Sequence, residues 1–215
     1  MKIEAPGLAA SPRIRHGFFG RQGGVSHGPF ASLNVSLRNA DKTQDALENR
    51  RRIADALGVA EAPLLIARQV HGSRCLAVDA AFDPHRPPEA DALVTRTRGL
   101  VLGATTADCA PILMADAEAG VVAAAHAGWR GAKDGIIEAT VASAQRLGAS
   151  TDRLTAAIGP CIALGSYEVG ATFEADFLAA DPESQAFFAP GSDDRAHFDL
   201  EGYCASRLAR CGIGT

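Results

Sequence analysis

Two periodicities alternate along the chain. Apolar residues step at helical spacing over Leu47, Ile53, Ala54 and Leu57, with Asp41 placed to cap the segment, Gln44 at the capping-box position and Gly58 at its end. A second helical pattern runs over Ile136, Ile137, Thr140, Val141, Ala144 and Leu147 and closes at Gly148. Val169, Phe173 and Phe177 step by four and predict a third helix; Leu200, Tyr203, Cys204, Leu208 and Cys211 predict a fourth. Between them lie short apolar runs bounded by turn formers, which read as strands: "LLIARQV", "CLAVD", "DALVT", "GLVLG", "APILMAD", "GVVAAAHAG" and "LTAAI". The glycine-rich first forty residues predict short strands joined by turns. "AAFDPHRPPEA" and "APGSDDRAH" predict exposed loops. No internal repeat or linker interrupts the chain. The reading is a single α+β domain over residues 1–215, with mixed β-sheets and helices packed outside.

Composition narrows this picture without redirecting it. A chain of 215 residues, 47% hydrophobic and 21% charged, is that of a soluble globular protein able to bury a substantial core. The net charge of −4 provides no basis for binding nucleic acid or a membrane surface. No apolar run reaches the ~18 residues of a membrane span. The start of the chain lacks the apolar stretch of a signal peptide. Cys75, Cys109, Cys161, Cys204 and Cys211 are odd in number and contain no C-x-x-C pair, which argues against a disulfide framework and for a reducing cytoplasm.

Three positions carry the candidate chemistry. His71 follows "LLIARQV", Cys109 follows "GLVLGATTAD" and His126 follows "VVAAA", each at the edge of an apolar run beside a turn. Strand ends distant in sequence can converge in a sheet. Two imidazoles and one thiolate suit zinc, with three protein ligands and an open fourth position. Cys109 and His126 could equally form a metal-free thiolate–imidazole pair, which leaves His71 without a duty. A histidine at a strand end is also commonly a hydrogen-bonded core residue. Arg21 in "GRQGG" and Arg130 in "GWRG" are flanked by glycines and suit an anion such as phosphate. Trp129, the only tryptophan, offers a flat apolar surface for a base or sugar. "GGVSHG" lacks the Gly-Lys-Ser/Thr ending of a phosphate loop.

The segments "HGFFGRQGGVSHGPFASLNVS", "ENRRRIADALG", "RQVHGS", "ADALVT", "TTADCAPILMAD", "AAAHAGWRGAKDGIIEATV" and "AAIGPCI" occur in this order. Together, from about Ile14 to Glu168, they resemble the YfiH-like family, also called the laccase-domain or peptidoglycan-editing-factor family. The resemblance implies an α+β fold and one zinc held by the histidine of "QVHG", the cysteine of "ADC" and the histidine of "HAGWRG", here His71, Cys109 and His126. It implies a purine nucleoside phosphorylase, acting on adenosine, inosine or methylthioadenosine with phosphate, that also deaminates adenosine. The alternatives are an amidase using Cys109 to remove misincorporated serine from peptidoglycan precursors and a non-catalytic, metal-stabilised binding module. Older descriptions name polyphenol oxidases. Six histidines, none arranged as H-x-H, are too few for a multicopper cluster, so zinc is favoured over copper.

Under the phosphorylase reading, Arg21 and Arg130 are the anion candidates, with Asn34 and Gln69 as neutral groups for sugar or base. Under deamination, Asp108 beside Cys109 is the carboxylate placed to shuttle protons. The family pattern continues into an aromatic, arginine-bearing "FFSYRR"-type segment. This sequence ends at "LARCGIGT", so that segment is expected to be missing from any pocket the chain forms.

Overall fold

The computed structural model describes residues 2–214. Its first half comprises β1 (Lys2–Ile3), α1 (Pro6–Ala9), β2 (Phe18–Phe19), α2 (Thr43–Ala56), β3 (Leu64–Ile66), β4 (Cys75–Ala77), β5 (Ala92–Thr95) and β6 (Val101–Gly103). There follow β7 (Ala110–Asp116), β8 (Val121–Ala127), α3 (Trp129–Lys133), α4 (Ile136–Arg146), β9 (Thr155–Ile158) and β10 (Glu168–Gly170). The chain closes with α5 (Ala171–Ala180), β11 (Phe188–Pro190), β12 (Arg195–Phe198) and α6 (Leu200–Arg210).

The principal sheet has the order β4-β5-β8-β7-β9. The β4–β5 pair is parallel and the other pairs are antiparallel. A parallel β3–β6 pair, an antiparallel β10-β12-β11 sheet and the β1–β2 ribbon complete an α+β architecture.

The two-residue period of β8 explains its composition. Val121, Ala123, Ala125 and Ala127 face the main core with Val94, Ile112 and Met114 of the neighbouring strands. Small side chains there let α4 settle onto the sheet through Ile136, Ile137 and Val141. Tyr203 and Leu208 of α6, with Phe177 and Phe198, extend this core. Leu93 faces the other way, into a smaller cluster with Leu65, Ala67 and Ala90. The same period puts His126 on the face away from α4.

Several predicted details differ. Asp41 does not cap α2: its Oδ2 accepts from Ser26 Oγ (2.6 Å) and Asn34 Nδ2 (2.7 Å), which ties it to the preceding loop, and the helix begins at Thr43. Leu47 is 39% exposed and lies off the buried stripe of Ala46, Ile53 and Ala54. Val169 belongs to β10, because pairing with Ala196 holds it extended before α5 starts. Much of "APGSDDRAH" pairs as the β11–β12 hairpin, leaving an exposed tip at Ser192–Asp194. "GWRG" is the start of a short helix, α3, where the glycines read as a turn. A Cβ on Gly131 would lie 2.7 Å from the Gly72 carbonyl oxygen, so that glycine permits contact between segments. Among the described residues, no helix is long and apolar enough to cross a membrane.

Candidate metal centre

Strand register builds the site. In the β7–β8 pair, Ala110 faces Ala127 and Pro111 faces His126, so Cys109, just before β7, reaches the edge where β8 ends. In the β5–β8 pair Ala92 faces Ala125, which places Asp91 beside His126, and the His126 N–H donates to the Asp91 carbonyl at 2.7 Å. Parallel pairing of Cys75 with Ala92 brings the loop preceding β4 to the same edge, and that loop carries His71. Three strand beginnings and one strand end therefore converge. The predicted set of three strand ends is corrected accordingly: Cys109 precedes a strand, and His71 sits in a loop five residues beyond β3.

The potential ligand atoms of His71, Cys109 and His126 all lie within 4.8 Å of one another. The two imidazoles meet edge-on, with centroids 4.7 Å apart and planes at 84°. His71 is exposed, Cys109 half-buried and His126 only 3% exposed, so the group opens to solvent on the His71 side. Gly128 forms its cradle. A Cβ there would lie 2.7 Å from His71 Nδ1 and 3.1 Å from Cys109 Sγ. His71 (φ 59°) and Asp108 (φ 76°) both adopt the left-handed backbone that non-glycine residues rarely visit.

Burial lowers the affinity of His126 for a second proton, opposed by its hydrogen bond to Asp91. Burial, followed by the charges of Asp108 and Asp91, pushes the Cys109 thiol above its ordinary value. Without a cation, this cysteine is held as a thiol.

The residue that sequence reading missed is Asp91. Its buried carboxylate lies 2.9 Å from His126 Nδ1 and accepts the backbone N–H groups of Val70, His71 and Gly72. It stood in plain sight in "ADALVT", but a single Asp before a strand carries no periodic signal; only the register reveals its partner. Tyr167, packed against Phe173 and Phe198, also feels the charge of this corner. Burial and then the charges of Cys109 and Asp108 push its phenol up to about 12. Burial likewise pushes the Cys161 thiol up to about 11, with Cys109 among the lesser contributors.

The remaining candidates divide. Asp108 is exposed next to Cys109, and its carbonyl accepts from Ile162 N–H at 2.8 Å. Gln69 clamps Thr105 at both ends of its amide, donating to the carbonyl (2.7 Å) and accepting from the N–H (2.9 Å). It thereby braces the segment leading to Cys109. Trp129 packs 4.9 Å from Phe173, while the Arg130 guanidinium lies 4.7 Å from the centre of its ring. Arg130 and Arg21 are exposed. Asn34 is held within its loop: it donates to Asp41 and accepts from Ser36 N–H and Asn39. Among the described residues, no hydrogen bond or ion pair joins Arg21 or Asn34 to the His71–Cys109–His126 group.

The donor set fits a transition metal. A tetrahedral zinc with bonds of ~2.0–2.3 Å keeps its donors roughly 3.3–3.7 Å apart, a small closure from the observed grouping. The buried carboxylate behind His126 is the usual partner of a metal-bound imidazole. Among the described residues, this is the one group of three His, Cys, Asp or Glu side chains placed to hold an ion.

Fold and donor set thus define an α+β protein with a His–Cys–His centre at a sheet edge. The chain belongs to the YfiH-like family, whose model, described as multi-copper polyphenol oxidoreductase laccase, matches residues 15–215. It is 42% identical over 212 residues to a protein named purine nucleoside phosphorylase from Deinococcus radiodurans, covering 99% of this chain and 79% of that one. A Streptomyces coelicolor protein of the same name is 40% identical over 197 residues, covering 92% and 80%. Among solved structures, YlmD from Geobacillus stearothermophilus superposes with a TM-score of 0.84 at 32% identity, covering 99% of this chain and 86% of that one. Bacillus licheniformis YfiH gives 0.82 at 30% identity, covering 92% and 77%.

Proposed function

We propose that residues 1–215 form one catalytic domain, a cytoplasmic zinc-dependent purine nucleoside phosphorylase that also deaminates adenosine. The observation that carries this reading is the convergence of His71, Cys109 and His126 around one point open to solvent, in a chain whose relatives are named purine nucleoside phosphorylase. Adenosine, inosine and methylthioadenosine are the proposed nucleosides, with inorganic phosphate as second substrate. His71, Cys109 and His126 would hold the zinc, which when bound would supply Lewis acidity.

The chain's own residues supply the rest. Asp108, exposed beside Cys109, takes and returns a proton. Arg130 and Arg21 attract the anion. Gln69 keeps the Thr105 segment in place so that Asp108 and Cys109 stay aimed. Trp129 carries the Arg130 guanidinium over its ring, and Asn34 keeps its own loop in shape through Asp41 and Ser36.

A second reading draws on Asp91. Cys109, His126 and Asp91 stand in the order thiol, imidazole, carboxylate, the arrangement of a cysteine hydrolase, and would serve an amidase of peptidoglycan precursors. The raised Cys109 thiol and the idle His71 count against it. The deciding experiment incubates metal-quantified protein with adenosine, with and without phosphate, beside Cys109→Ala and a chelated sample. Phosphate-dependent adenine or phosphate-independent inosine, lost in both controls, supports the zinc enzyme. Serine release from a peptidoglycan precursor that survives chelation supports the amidase. Full zinc occupancy without turnover of either substrate supports a metal-stabilised binding module.

A further inference from the structure

We propose that Asp91 is the positioning residue of the metal centre, selecting the tautomer of His126 and holding the His71 loop through a single carboxylate. The proposal rests on reading His71, Cys109 and His126 as a metal site.

Asp91 is buried, and its side chain is fully shielded from solvent. Oδ1 lies 2.9 Å from His126 Nδ1 and accepts from His71 N–H at 2.9 Å. Oδ2 accepts from Gly72 N–H at 2.8 Å, and the Val70 N–H is shared at 3.2 Å from each oxygen. A carboxylate enclosed by three N–H donors has only acceptors to offer the imidazole. The proton on neutral His126 therefore sits on Nδ1, and Nε2 keeps the lone pair that a metal requires.

The same three N–H bonds wrap residues 70–72 around the carboxylate and hold His71 at its positive φ. The main chain repeats the connection, since the Asp91 carbonyl accepts from His126 N–H and the Asp91 N–H donates to Arg74. Two ligands 55 positions apart are thus oriented by one side chain lying between them in sequence and in space.

Asp91→Asn makes the requirement visible. An amide offers one acceptor atom and one donor group. If Nδ2 faces His126, it forces the proton to Nε2, removes the lone pair and also meets the His71 N–H donor to donor; if it faces Gly72, two donors meet there and the His71 loop is released. Either way at least one histidine is lost as a ligand.

The test uses the full chain and zinc alone. Long-range ¹H–¹⁵N correlation on metal-free protein reports the His126 tautomer, amide exchange reports residues 70–72, and competition with a chromophoric chelator reports zinc affinity. The wild type is expected to show protonated Nδ1 and protected amides at 70–72. Asp91→Asn is expected to show protonated Nε2 or rapid exchange at 70–72, with zinc affinity reduced about 10–100-fold. A wild-type His126 protonated on Nε2, or an Asp91→Asn protein binding zinc as tightly as wild type, overturns the proposal. If Asp91→Asn does not fold, the wild-type tautomer decides, since it needs no substitution. Absence of zinc binding by the wild type would instead overturn the metal-site reading, with the tautomer still testing Asp91.

Discussion

Gly128 determines how closely the donors can approach. Its backbone, at φ −73° and ψ 164°, is one any residue adopts, so Gly128→Ala acts through its methyl group alone. That methyl would press on His71 Nδ1 and Cys109 Sγ together. His71 is exposed and can swing aside, so the metal-free fold should lose less than the ~1–3 kcal/mol typical of overpacking. Zinc affinity should fall on the order of 10-fold, a change of the size seen when the support of a ligand is disturbed. Chelator competition and thermal melting of the metal-free variant check the two halves separately. At this scale the sequence was readable in part. His71, Cys109 and His126 stood out because a polar, metal-competent side chain at the edge of an apolar run is unusual. Asp91 did not, because its partners are supplied by a different strand and a distant loop.

Asp116 joins elements as Asp91 joins ligands. From the end of β7 it accepts the N–H groups of Glu118 and Ala119 in the turn to β8, and the N–H of Ser150 ahead of β9; Arg153 also pairs with it. Burial alone would raise this carboxyl, but the N–H groups of Ala119 and Ser150, with Arg153, outweigh it and hold the group below its ordinary 3.8. A depressed folded-state value stabilises the fold above the unfolded value, and that stability is lost as pH falls through the folded one. In chelator, the urea midpoint of wild type should therefore drop more steeply between about pH 5 and pH 2 than that of Asp116→Asn. Near pH 7 the variant should be less stable by about 1–3 kcal/mol. Equal slopes would show that Asp116 carries no such linkage.

Element-scale reading succeeded where one periodicity was long enough, as in α4 and α6. It failed at α3, where two glycines in four residues imitate a turn, and at Val169, where a strand and a helix abut without a break in the apolar spacing. Leu47 misled for a simpler reason: its neighbour Ala46 is the residue that packs.

At the scale of the molecule, a metal held as proposed would tie together three segments around the principal sheet: the loop before β4, the turn before β7 and the end of β8. Zinc binding to the folded chain alone should add about 4 kcal/mol at a free concentration a thousandfold above its Kd. For a chain of this size that is roughly 8–16 °C in melting temperature. Scanning calorimetry with zinc and with chelator checks it, and coincident melting curves would contradict a centre that binds only the native state.

The edge on which the ligands sit has a further consequence, for the order of events in folding. His71, Cys109 and His126 approach one another only when β4, β5, β8 and β7 have all found their register, a set of pairings that closes long loops. An early, partly paired chain therefore presents no three-donor site, and zinc cannot act as a seed for the fold. Under the proposed zinc reading it would act as a latch: binding only the assembled site, it should leave the refolding rate nearly unchanged and slow unfolding, which stopped-flow refolding and unfolding with zinc and with chelator would check. On the proposed zinc reading, the lifetime of the folded chain would then depend on how firmly this corner of the sheet holds its ion.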